Sequence, residues 1–80
     1  MNRFALRKIV AEGLEIDPEL LEPDTDMTTL EEFNSVAVLM LMLALDAQAG
    51  IKMSPEDASR LRYYRDVEAL ADRQGIVLTE

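Results

Sequence analysis

The sequence predicts an all-α fold, a small bundle of three main helices plus one short helix, with a long loop between the first two main helices. Three observations carry this. Apolar residues recur at helical spacing. Period-2 alternation with turn dipeptides is absent. The longest apolar run, Val36–Leu45, is rich in Leu, Met and Ala, which favour helix. At 80 residues the chain has room for one domain and a small core.

Leu6, Ile9, Val10 and Leu14 fall on one stripe and predict a first helix from about Arg3 to Glu12, with Gly13 as its stop signal. A long connection follows, from about Glu15 to Asn34. Pro18, Pro23 and Asp24-Thr25-Asp26 argue against helix there. Leu20, Leu21, Met27, Leu30 and Phe33 are the residues expected to pin it down. Thr28 with Glu31, or Thr29 with Glu32, matches a capping box and predicts a short helical turn near 29–33. The second helix spans about Ser35 to Gly50. The third opens on Ser54-Pro55-Glu56-Asp57, an N-cap, a Pro at the first helical position and acids in the first turn, and fades before Tyr63. The fourth follows Asp66 as N-cap, with Val67, Leu70, Ala71 and Gln74 along one side and Gly75 as its stop. Ile76-Val77-Leu78 is apolar enough to dock back on the bundle.

Composition narrows the function. With no Cys and no His, disulfides, zinc thiolates, Cys or His nucleophiles and a Ser-His-Asp triad are excluded. No signal peptide is evident, and a reducing cytoplasm is the expected compartment. Val36–Leu45 is about half of the ~20 residues a membrane span needs. Sixteen acids against eight bases give a net charge of −8, which repels phosphate backbones and argues against a nucleic-acid partner. No Lys or Arg lies between Lys8 and Lys52, while ten acids do. Such a field either keeps a small protein soluble or steers a basic surface toward it.

At 100° per residue the second helix has two apolar faces. Val38, Leu41, Met42, Leu45 and Ala49 form one; Val36, Ala37, Met40, Leu43 and Ala47 form the other. A bundle this small cannot cover both, so one is core and the other a candidate contact surface, unless the long loop covers it. Ser35, preceded by Asn34, stands at the mouth of this helix. The pair reads as a helix cap. Taken alone it is a cap first; the same geometry also offers an exposed hydroxyl where a phosphoric ester would meet free N–H groups and the positive end of the helix dipole.

The stretch from Leu30 through Asn34-Ser35-Val36 to Leu39, with Leu45-Asp46-Ala47-Gln48-Ala49-Gly50 behind it and Asp66-Val67-Glu68-Ala69-Leu70 at the start of the last helix, resembles an acyl carrier protein. The resemblance covers the whole chain in length, helix order and charge, so residues 1–80 are expected to be a single carrier-like domain. It implies that Ser35 carries a 4′-phosphopantetheine arm delivered from coenzyme A by a phosphopantetheinyl transferase, with Asn34 the neighbour of the attachment site. It implies a non-catalytic carrier that presents acyl or related intermediates as thioesters to acyl-loading and acyl-transferring enzymes. The pathway, whether fatty acid, polyketide or other secondary metabolite, stays open. Asn34 stands where the family has Asp, and Val36 where it has Leu. The matching surface, Val36, Ala37, Met40, Leu43 and Asp46, is less acidic than the family's usual one, which implies a specialised member with apolar partner contacts. A monomer is expected, with a weak dimer as the variant. If the helices part slightly, Leu6, Ile9, Leu41, Leu45 and Val67 are the residues expected to line a shelter for cargo. The alternative reading is a helical docking or dimerisation module that uses the apolar face of the second helix, with Ser35 only a cap.

Overall fold

Asn2 opens the first helix: its Oδ1 accepts the N–H of Phe4 at 2.7 Å and of Ala5 at 3.2 Å. The computed structural model describes all 80 residues. Its helices are α1 (Arg3–Leu14), α2 (Ser35–Ala49), α3 (Pro55–Arg60) and α4 (Tyr64–Arg73), with 3-10 turns at Pro18–Leu20 and Met27–Thr29 in the long connection. There is no strand, only two isolated bridges, Asn2 with Thr79 and Asp26 with Tyr63. The predicted class, an all-α bundle of three main helices and a short one, is the observed one.

Gly13 does not stop α1. The helix runs through it to Leu14, and Glu15 takes the left-handed cap at φ 58°. The reason is tertiary. A Cβ on Gly13 would lie 3.0 Å from the Cα of Leu41, so the missing side chain lets α1 close on the backbone of α2. Gly50, at φ 66°, ends α2 as expected.

The connection carries its helical turn at Met27–Thr29 rather than near 29–33, and residues 62–65 tie it down. The N–H of Met27 donates to the carbonyl of Arg62 at 2.6 Å, and those of Tyr64 and Arg65 donate to the carbonyls of Thr25 and Pro23, both at 3.0 Å. Neither Thr28–Glu31 nor Thr29–Glu32 forms a capping box. Asp26 caps the turn instead, accepting the N–H of Thr28 at 3.0 Å, and pairs with Arg62 at 3.0 Å. Leu21 and Met27 are buried, and Leu30 and Phe33 pack at the edge of the core. Leu20 is 54% exposed, so it does not pin the loop.

Ser54 caps α3 as expected, and Asp57 completes a capping box with it. Asp66 is not the N-cap of α4. The N-cap is Tyr63, three residues earlier, and the Asp66 carboxylate reaches back to accept the N–H of Tyr63 at 2.9 Å and of Arg62 at 3.0 Å. Tyr64 is thereby turned fully inward, where burial above all pushes its phenol up to about 12. Ile76 and Leu78 dock on the core as expected, while Val77 points outward.

The core is a cluster of 16 buried residues, all apolar or aromatic. Leu6, Ile9, Leu41, Leu45 and Val67 belong to it. With the helices closed they are packed together: the cavities of the molecule all open at its surface, and none is lined by Leu6, Leu41, Leu45 or Val67.

Two measurements check this packing. Gly13→Ala gains helix propensity of about 1 kcal/mol but presses a methyl on backbone that cannot turn aside, so a net loss of about 1–2 kcal/mol is expected in urea unfolding. Asp26 is held below the ordinary 3.8 by the Thr28 hydroxyl first and by Arg62 next. A carboxylate depressed in the folded state stabilises above its unfolded pKa, and that contribution disappears as pH falls through the folded value. The gap in melting temperature between wild type and Asp26→Asn is therefore expected to be widest near neutral pH and to shrink below about pH 3.8.

Candidate functional site at the start of α2

Asn34 has extended backbone, and its Oδ1 accepts the N–H of Ala37 at 2.9 Å. Its carbonyl accepts the N–H of Val38 at 2.9 Å. The cap is therefore Asn34 alone. Ser35 is the first residue inside the helix, exposed, with its hydroxyl in no hydrogen bond. The capping role offered for Ser35 by the alternative reading is already filled. An Asp at position 34 would supply the same acceptor with a negative charge; Asn supplies it without one.

The two faces of α2 separate as the periodicity requires. Leu41 and Leu45 are buried, with Val38, Met42 and Ala49 half-buried beside them. On the far side Val36 is 69%, Met40 50% and Leu43 58% exposed, and the long loop does not cover them. Ala37 is half-buried. Leu39, at 55% exposed, completes the outer stripe and went unassigned in the sequence reading. The signal was present: Val36, Leu39, Met40 and Leu43 fall at i, i+3, i+4 and i+7.

Asp46 lies on the exposed side, but Lys52 pairs with it, so it brings little net charge to this face. The unpaired acids are elsewhere. Glu22, Asp24, Glu31 and Glu32 are exposed and in no ion pair. They precede Ser35 on the loop, and Glu32 lines the same groove as Ser35, while the helix face behind Ser35 is apolar.

Beside Ser35 a groove of about 410 Å³ runs between the end of α1 and the start of α2, lined by Gly13, Glu15, Glu32, Val36 and Met40 among others. A free hydroxyl beside an open groove, at a helix start whose first N–H groups face outward, suits a covalently attached phosphate ester.

The family model for the phosphopantetheine attachment site matches residues 5–73. The chain belongs to that family, whose members carry 4′-phosphopantetheine covalently, and it is a phosphopantetheine carrier protein. It is also similar to an acyl carrier protein of Thermosynechococcus vestitus, with 29% identity over 62 residues, 78% of this chain and 76% of that relative. No helix is long and apolar enough to cross a membrane.

The split between cap and free hydroxyl is measurable. Asn34→Ala is expected to lose about 1 kcal/mol of stability. Ser35→Ala is expected to stay within about 0.5 kcal/mol of wild type. Parallel chemical denaturation of the two variants checks both.

Proposed function

We propose that Ser35 is the attachment residue and that residues 1–80 act as one carrier domain presenting acyl groups to partner enzymes. One observation carries the assignment. Ser54 is bonded to Asp57, Ser59 to the carbonyl of Glu56, and Thr25, Thr28, Thr29 and Thr79 each have a partner within the chain. Ser35 has the one free aliphatic hydroxyl, and it is exposed. In loading, the Ser35 oxygen forms a phosphodiester to the phosphopantetheine of coenzyme A. Adenosine 3′,5′-bisphosphate leaves, and the hydroxyl proton passes to the transferase. The attached arm supplies a thiol that holds an acyl group as a thioester, which a protein without cysteine cannot do by itself. The chain performs no bond chemistry. It exposes the hydroxyl, keeps the helix start rigid through Asn34, and offers surfaces to its partners. With coenzyme A as arm donor, the cytoplasm is the setting for loading.

Val36, Ala37, Met40 and Leu43, extended by Leu39, form the recognition surface for a partner with an apolar patch. Asp46, neutralised by Lys52, is its polar edge. Glu22, Asp24, Glu31 and Glu32 steer a basic rim of that partner from a distance. Asn34 removes one charge beside the attachment point, which favours a transferase that does not depend on an Asp there.

Intact mass after incubation with coenzyme A and a broad-specificity phosphopantetheinyl transferase tests the assignment. A gain of one phosphopantetheine on wild type and none on Ser35→Ala is expected. A gain that survives Ser35→Ala overturns it.

A further inference from the structure

Charge is spread unevenly along α2. Near Ser35 the carboxylates have no cation. Glu15 and Glu32 line its groove, Glu31 adjoins Glu32, and all three are exposed and in no ion pair. From Ser35 to Asp46 the helix rises about 16 Å at about 1.5 Å per residue. At that far end each carboxylate has an ammonium for company. Lys52 pairs with Asp46, and across the seam Glu12 and Lys8 line one depression with Gln48.

The fold itself delivers Lys52 to Asp46. Gly50, at φ 66°, turns the chain back at the end of α2. Ile51 and Met53 are buried on either side of Lys52, so its side chain is left the outward direction. Gln74, at the end of α4, grips the backbone between them. Its Oε1 accepts the Lys52 N–H at 2.9 Å, and its Nε2 donates to the Lys52 carbonyl at 2.5 Å. An exposed ion pair adds little stability, so the consequence of this one lies in what can approach it.

We propose that Lys52, with Gln74 as its positioning residue, selects partners by excluding those with a Lys or Arg opposite the far end of α2. The inference rests on the reading of the exposed α2 face as the partner surface and deepens it. A basic group arriving at Asp46 finds that carboxylate already satisfied and meets a like charge instead, which is a repulsive element of specificity. The partner that fits is therefore one-sided. It is basic where it faces Glu15, Glu31 and Glu32, apolar over Leu39, Met40 and Leu43, and neutral or acidic where it faces Asp46 and Lys52.

The test uses nona-arginine as the basic probe and locates it by amide proton–nitrogen spectra at low salt. On wild type, perturbations are expected at Glu31 and Glu32 and not at Asp46 or Ala47. In Lys52→Ala they are expected to extend to Asp46 and Ala47, and in Lys52→Ala with Asp46→Asn to withdraw again. Lys52 and Gln74 are exposed, so their variants keep the fold, which unchanged signals of Leu45 and Leu70 check. Perturbation of Asp46 already in wild type, none there in Lys52→Ala, or persistence in the double variant would each overturn the exclusion. Gln74→Ala is expected to behave as Lys52→Ala does; wild-type behaviour overturns its positioning role. The partner surface is tested separately by Met40→Glu, expected to slow loading by the transferase about fivefold or more. Unchanged loading there overturns the surface, and the proposed selection with it, whatever the probe shows.

Discussion

The approach of α1 to α2 at Gly13 is the constraint on which the remaining geometry depends. With a Cβ only 3.0 Å from the Leu41 Cα, any larger residue would have to push the two helices apart. Their contact drives Leu41 and Leu45 fully into the core. Because α2 is apolar all round, burying that stripe forces the opposite one outward. Val36, Leu39, Met40 and Leu43 face water because α1 has claimed the other side and too little chain remains to cover them. The seam that results ends at the hydroxyl of Ser35.

Electrostatics sorts the surface in a complementary way. The acidic connection is tied to α4 by Asp26 and Arg62 and by backbone bonds from Met27, Tyr64 and Arg65. Lys52 offsets the single acid on the exposed face of α2. Glu22, Asp24, Glu31 and Glu32, on the loop ahead of Ser35, are left in no ion pair. On the proposed reading, a partner meets a charged approach first and an apolar contact second. Charge of this kind raises encounter rates, while the apolar contact decides how long the partner stays.

Asn34 and Ser35 divide two tasks that one residue often performs. The amide oxygen of Asn34 satisfies the N–H of Ala37, so the Ser35 hydroxyl is spared from structural service. Substituting Asn for the family's Asp preserves this division, because capping needs an acceptor and not a charge. What changes is the charge beside Ser35.

The sequence by itself determined the helical class, the N-cap at Ser54, the glycine end of α2, the two faces of that helix and the place of Ser35. Each of these depends on local spacing, local propensity or one short hydrogen bond, and the resemblance to acyl carrier proteins drew on the same local signals. Only the tertiary structure decided the rest. Gly13 reads as a stop signal until Leu41 lies against it. Asp66 reads as an N-cap until the connection, bonded to residues 62–65, fixes an earlier start for α4. Leu20 reads as an anchor until Leu21 and Met27 take the buried places. The exposed stripe, the pairing of Asp46 with Lys52 and the groove along the seam all arise between residues distant in the chain, and no local pattern encodes which of two apolar faces finds a neighbour.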